Sequence, residues 1–344
     1  MADAIQLLAA QYFQLVDPPH LAIPPGHVLV RPETQTALYE RMFDEALTPL
    51  PPATYRTRVL KLIIARIEES ISDPEEDELL DSLMDCWGNL LAQPKSTALE
   101  QARQLSHIKY TAPVQTESTE PERTVITSEA RGVILAGGTT GNRTWEAALH
   151  LGSFLASPPG EALVRGKRVI ELGAGTGFIS LFCARHLGVQ SVVVSDREPA
   201  LIDNIRGCLP FNKNDAGSES IPICPTLWDW GTPLQRTVEM DSLTENENLS
   251  FDVALGADLI YDTDLVPLLL TTLRDLFENY HVKQFIIAAT LRNENTFRTF
   301  LDACESNGFQ VETLPFESTP SENQTGFFHS TSIPICTYQI SRSS

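Results

Sequence analysis

The chain has 344 residues, 42% of them hydrophobic, and a formal net charge of −20. That is apolar material enough for a packed core in two domains, or in one large domain with an appendage. The acidic balance argues against a nucleic-acid partner, whose phosphates need clustered Lys and Arg, so no direct nucleic-acid contact is expected. No apolar run is long enough to span a membrane, so no membrane association is expected either.

Reading along the chain, "MADAIQLLAAQYFQL" carries an acid where a signal peptide needs a base, and its pattern predicts an amphipathic helix in a cytoplasmic protein. "RPETQTALYERMFDEAL", "YRTRVLKLIIARIEESI" and "EDELLDSLMDCWGNLLAQ" repeat apolar residues at three- and four-residue spacing, between the proline-rich joints "DPPHLAIPPGH" and "TPLPPAT". The charge runs "DPEEDE" and "EEDELLD" read as a solvated helix start. Residues 1–110 are thus expected to be a helical domain with almost no strand. The polar, proline-containing 111–124 is read as a linker.

From residue 125 the pattern changes to strands alternating with helices, which predicts an α/β fold. "VITSEARGVIL" suggests a hairpin and "TWEAALHLGSFLA" a helix. "KRVIEL" and "SVVVSD" are buried strands followed by helices from Gly177 and in "EPALIDNIRGCLPFN". "FDVALGAD" and "KQFIIAAT" flank the helix "TDLVPLLLTTLRDLFENY", and "FQVETLPF" and "IPICTYQI" close as an antiparallel edge hairpin. The expectation is a doubly wound, mostly parallel seven-stranded sheet with an N-terminal helical domain.

Cys86, Cys183, Cys208, Cys224, Cys304 and Cys336 form no C-x-x-C pair, and several sit in apolar runs, as reduced buried thiols do. The seven histidines make no His-x-x-x-His pair, so no metal site is expected. No G-x-S-x-G occurs, and "GGTTG" at 137–141 lacks the Lys-Ser/Thr ending of a phosphate loop.

The informative stretch is "VIELGAGTGFISLF", which runs Glu171, Gly173, Ala174, Gly175 and Gly177. A dinucleotide loop G-x-G-x-x-G would place its third glycine where Phe178 stands. Bare backbone at Gly173 and Gly175 instead leaves room for a flat, uncharged part of a ligand. Asp196, at the end of the next strand, is placed to hold a ribose diol.

This combination resembles the class I methyltransferases that use S-adenosylmethionine. Trp145 on the helix before the loop, and Asp258-Leu259-Ile260-Tyr261 after the fourth strand, resemble the protein-lysine methyltransferases of that seven-strand class. "TTGNRTW" looks most like the elongation factor 2 lysine methyltransferases, which also carry an extra helical domain. The resemblance implies S-adenosylmethionine as cofactor, contacted by Trp145, by Glu171 of the E-x-G-x-G-x-G motif, by the backbone of Gly173, Ala174, Gly175 and Gly177, and by Asp196. Asp229 and Trp230 of "LWDWG" would flank the adenine, with Trp228 a second candidate indole, and Ala257 would line the pocket. Asp258 would orient the attacking lysine and Tyr261 would bond its nitrogen or wall its channel. A competing role for Asp258 is the N-cap of a helix starting near Thr263. The implied partner is a protein substrate, translation elongation factor 2, bound by a monomer. The competing functions are methyl transfer to another protein or a small molecule, and a non-catalytic cofactor-binding module.

Overall fold

The computed structural model describes the chain except for residues 1, 73–77, 95, 96, 98, 99, 102, 103, 115–121, 133–138, 214–220, 244–248, 343 and 344. Contacts divide it into two compact units: Met1–Thr111 with Glu129–Val133, and Ala112–Ser128 with Ile134–Ser344.

The first unit is built on α1 (Ala2–Phe13), α2 (Gly26–Leu29), α3 (Pro32–Leu38), α4 (Ala53–Glu68) and α5 (Asp81–Ala92). Along α4, Tyr55, Val59, Leu60, Ile63, Ile64 and Ile67 are buried, the stripe that three- and four-residue spacing lays on one helical face. They share a core with Leu8, Tyr12, Leu38, Phe43 and Leu83. Contrary to the expectation of almost no strand, Ser106–Thr111 forms β1. Its alternating buried residues Ile108 and Tyr110 are β-branched and aromatic, as a half-buried strand requires. The expected solvated helix start falls mainly outside the described residues, and α5 begins only at Asp81.

The second unit holds β2 (Thr124–Glu129) up to Ser128, and at the ends of the expected linker 111–124 the Ala112 N–H donates to the Arg123 carbonyl at 2.8 Å. The core of the linker, and the second strand of the expected hairpin at 133–135, lie outside the described residues. β2 is held by side chains that mimic a neighbouring strand. The Ile126 N–H donates to Asn212 Oδ1 at 2.8 Å, and Asn212 Nδ2 donates to the Ile126 carbonyl at 2.7 Å.

A seven-stranded sheet follows, in the order β5-β4-β3-β6-β7-β9-β8. Its strands are β3 (Arg168–Glu171), β4 (Ser191–Asp196), β5 (Ile223–Leu227), β6 (Val253–Ala257), β7 (Gln284–Thr290), β8 (Phe309–Leu314) and β9 (Ile335–Arg342). β3 to β7 run parallel, and β9 runs antiparallel to both β7 and β8. Every residue of β4 is buried, as in a parallel strand covered on both faces. Burying Val192, Val193 and Val194 contributes about 1.5–3 kcal/mol each. The expectation of an α/β, mostly parallel seven-stranded sheet is met, with the closing hairpin at the edge and β9 on its inner side.

The crossover elements are α6 (Glu146–Ala156), α7 (Pro158–Val164), α8 (Phe178–His186), α9 (Pro199–Cys208), α10 (Val238–Asp241), α11 (Leu265–Asn279) and α12 (Glu294–Ser306). In α11, Val266, Leu269, Leu270, Leu273 and Leu276 face the sheet. α8 is apolar nearly all round: Phe178 and Phe182 stack at 6.5 Å, and the Phe327 ring stands edge-on to both.

His150 of α6 closes a hydrogen-bonded chain with the β8–β9 connection. The Phe327 carbonyl can only accept, so His329 Nδ1–H donates to it at 2.7 Å. His329 Nε2 therefore accepts from the Ser318 hydroxyl (2.8 Å), Ser318 accepts from His150 Nδ1–H (2.6 Å), and His150 Nε2 accepts from Thr337 (3.0 Å). Burial, with His329 alongside, pushes His150 down to about 4.

Candidate active site

The chain winds outward from β3 through β4 to β5, then returns to place β6 on the other side of β3. This reversal opens a crevice beyond the carboxyl ends of β3 and β6, where ligands of doubly wound sheets bind. A cavity of about 490 Å³ lies there. Trp145, Glu171, Gly173, Ala174, Gly175 and Asp196 line it, as do Asp229, Trp230, Ala257, Asp258 and Tyr261. Gly177 does not: it is the N-cap of α8, at φ 76°. The structure thus brings together every predicted site residue but that one.

The floor is the loop after β3. Gly173 and Gly175 stand at φ 58° and 55°, the left-handed region that favours glycine. A Cβ on Gly173 would lie 2.8 Å from Leu259 Cδ2 and 3.2 Å from Trp230 Cζ2. One on Gly175 would lie 3.1 Å from the Gly141 carbonyl oxygen. Residues 139–145 pass across this loop, with the Thr144 and Thr176 hydroxyls 2.7 Å apart. Apart from Trp145, that strap was not assigned to the site from sequence, although its small residues, Thr139, Thr140 and Gly141, are the type that permits close approach.

Besides the exposed Asp229, three carboxylates face the cavity from the ends of β3, β4 and β6. Glu171 accepts from the Ser180 N–H at 2.9 Å and from the Ser180 hydroxyl, and full burial pushes its carboxyl up to about 8. Asp196 Oδ2 accepts from the Gly175 N–H at 2.9 Å, and Oδ1 from the Glu198 N–H at 3.1 Å; burial raises it against those bonds. Asp258 sits just past β6 at φ 50°, a conformation Asp adopts far more readily than branched residues. Its Oδ1 accepts from the Thr290 N–H at 2.7 Å; its Oδ2 accepts from the Thr290 hydroxyl at 3.0 Å and from Arg292 Nη1 at 3.1 Å. Burial raises its carboxyl, opposed first by the Thr290 N–H and then by Arg292. The competing N-cap role is excluded, because the N-cap of α11 is Asp264.

The two indoles of "LWDWG" differ. Trp228 is 3% exposed, packs into the core, and donates from Nε1 to the Thr232 carbonyl at 2.9 Å. Trp230 is half-buried beside Gly173, with Asp229 exposed before it. Tyr261 is 65% exposed at the mouth.

A family model described as "Lysine methyltransferase" matches residues 135–307, half of the chain. The protein-lysine N-methyltransferase EFM3 of Chaetomium thermophilum is 39% identical over 96% of both chains. The chain belongs to the lysine methyltransferase family. EFM3 of Saccharomyces cerevisiae is 29% identical, covering 57% of this chain and 58% of that one. The protein-lysine N-methyltransferase EEF2KMT of Mus musculus is 24% identical, covering 77% and 72%.

This lysine methyltransferase takes its methyl from S-adenosylmethionine, which supplies a methyl group activated on a sulfonium. The residues of the cavity fit that donor. Bare glycine backbone forms a floor that no side chain could share, the carboxylates offer acceptors to hydroxyls and cationic groups, and the half-buried Trp230 indole lines the same cavity. Among the described residues no helix is long and apolar enough to cross a membrane, and no group of three or more His, Cys, Asp or Glu could hold a metal ion.

Proposed function

We propose that this protein-lysine methyltransferase modifies a lysine of translation elongation factor 2 in the cytoplasm, acting as a monomer. The reading rests on the "TTGNRTW" stretch and on a relative printed as EEF2KMT matching 77% of the chain. The helical unit would contribute to recognition of the folded factor, as the family architecture suggests.

Asp196 would hold the cofactor ribose, Trp230 and Asp229 would flank the adenine, and Trp145 would close the methionine end. The observation that carries the catalytic assignment is Asp258, a carboxylate fixed by Thr290 at the mouth of the cavity. A lysine has an ordinary pKa of about 10.4 and must shed its proton before its lone pair can attack. Asp258 would dock and orient the amine and receive that proton, and Tyr261 would wall the channel.

The test is methyl transfer from labelled S-adenosylmethionine to purified elongation factor 2, beside a soluble lysate lacking the endogenous enzyme, with Asp258→Ala as control. One labelled band at the factor, lost in the variant, is the expected result. Label on a different protein would discard the substrate and keep the chemistry. Full activity in Asp258→Ala would remove the acid from its role.

A further inference from the structure

Arg292 was not singled out from sequence; it lies in the short turn between β7 and α12 and reaches across the mouth of the cavity. Its guanidinium is shared. Nη1 donates to Asp258 Oδ2 at 3.1 Å, and Nη2 donates to Glu146 Oε2 at 2.5 Å. Its Cζ also lies 5.3 Å from the centre of the Trp145 ring, and Arg143 Cζ approaches the same ring at 5.2 Å. Arg143 Nη2 stands 3.8 Å from the other Glu146 oxygen. Asp258, Arg292, Glu146 and Arg143 therefore form a chain of alternating charge across the rim, with Trp145 flanked by its two arginines.

The two ends of the Arg292 contact are unequal. The Asp258 side chain is 14% exposed and that of Arg292 42%. The acid is thus the group whose charge burial opposes, and the arginine is the solvated partner that relieves it. Thr290 fixes where the carboxylate points but brings no formal charge. Arg292 is the cation in hydrogen-bond contact with Asp258 among the described residues; Glu146 and Arg143 stand behind it, and Tyr261 lies across the mouth.

We propose that Arg292 is a positioning residue for methyl transfer: anchored by Glu146 and the face of Trp145, it keeps the buried Asp258 carboxylate ionised and aimed at the incoming amine. This rests on the reading of Asp258 as the acid that receives the lysine. The pairing has a second consequence. A bare carboxylate would hold a docking lysine in its ammonium form, whereas a carboxylate already balanced by a guanidinium does so less, leaving the amine easier to deprotonate.

The test is a carbon-13 NMR titration of the Asp258 carboxyl in the full chain, for the wild type, Arg292→Gln and Arg292→Lys. Arg292→Gln raises the Asp258 midpoint by about one pH unit or more. Arg292→Lys falls between the two, because it keeps the charge and loses the fork. The acid limb of kcat/KM for methylation of elongation factor 2 moves upward with the midpoint. A purely structural role would lower activity without moving either. An Asp258 midpoint identical in all three proteins overturns the proposal, whatever the substrate proves to be. A wild type that leaves elongation factor 2 unmethylated overturns the substrate reading instead, and the titration still decides the role of Arg292.

Discussion

Glu171 is the side chain whose replacement should separate stability from cofactor binding. Its carboxyl is fully buried, and its pKa rises from the ordinary 4.5 to about 8. Between those limits the folded protein keeps a proton that the unfolded chain has released. The group's stabilising effect is therefore complete below about pH 4.5 and is lost as pH climbs through about 8. At ~1.4 kcal/mol per unit the ceiling is near 5 kcal/mol; dielectric relaxation of the protein around the buried group reduces this to ~3–4 kcal/mol. Glu171→Gln is neutral at every pH, and its amide oxygen can accept both Ser180 donors. In the absence of cofactor the variant should match the wild type at pH 5 and melt at least about 6 °C higher at pH 8. Above about pH 8, where the wild-type carboxyl is ionised, the same change should also weaken S-adenosylmethionine binding, because an anion beside a cationic ligand has gone. Thermal scans of both proteins from pH 5 to 8 measure the difference, in which other titrating groups cancel. A melting difference that stays constant across that range would refute the assignment of a strained, buried charge to Glu171.

Gly175→Ala should cost about 1–2 kcal/mol for the left-handed backbone alone, read by urea melts, and should lower cofactor affinity by calorimetry. Its Cβ would meet the Gly141 carbonyl at 3.1 Å, which is backbone and yields little; unchanged stability would contradict the close approach. Trp228→Ala should destabilise by about 3–5 kcal/mol as a core truncation. Trp230→Ala should instead weaken cofactor binding by about threefold to tenfold with little loss of stability; the reverse pattern would exchange their roles. His150 is buried neutral, so its contribution is present above about pH 6.5 and lost as pH falls through about 4. His150→Gln should flatten the acid limb of the stability profile between those values, followed by circular dichroism; an unchanged limb would place the titration elsewhere.

Much of the sheet was legible because its interior strands are short runs with an apolar centre, as in "SVVVSD", and its crossover helices keep a clean stripe, as in α11. β5 escaped because Pro222 and Pro225 interrupt a run that would otherwise read as a strand; β5 is at the sheet edge, where proline is tolerated. α12 escaped too, although Asn293 accepts from the Thr296 N–H as an N-cap and Phe297, Phe300 and Cys304 form its buried face. The glycine loop and Asp196 could be read as a pair because one βαβ unit joins them. Arg292 could not be linked to Asp258 in that way. The two are 34 residues apart, and only the parallel pairing of β6 with β7 brings their carboxyl ends together.

The placement of β9 between β7 and β8 has a consequence for synthesis. Chains emerge in order, so β8 is made before the strand that must lie beside it. Until β9 arrives, β8 has no neighbour in the sheet and the edge of β7 stays open. An open apolar edge is a template for pairing with other chains. The five parallel strands can assemble as the chain emerges, but the sheet is closed only by its last-made strand. The strands that frame the cavity floor thus precede in the chain the strand that covers the flank of β7.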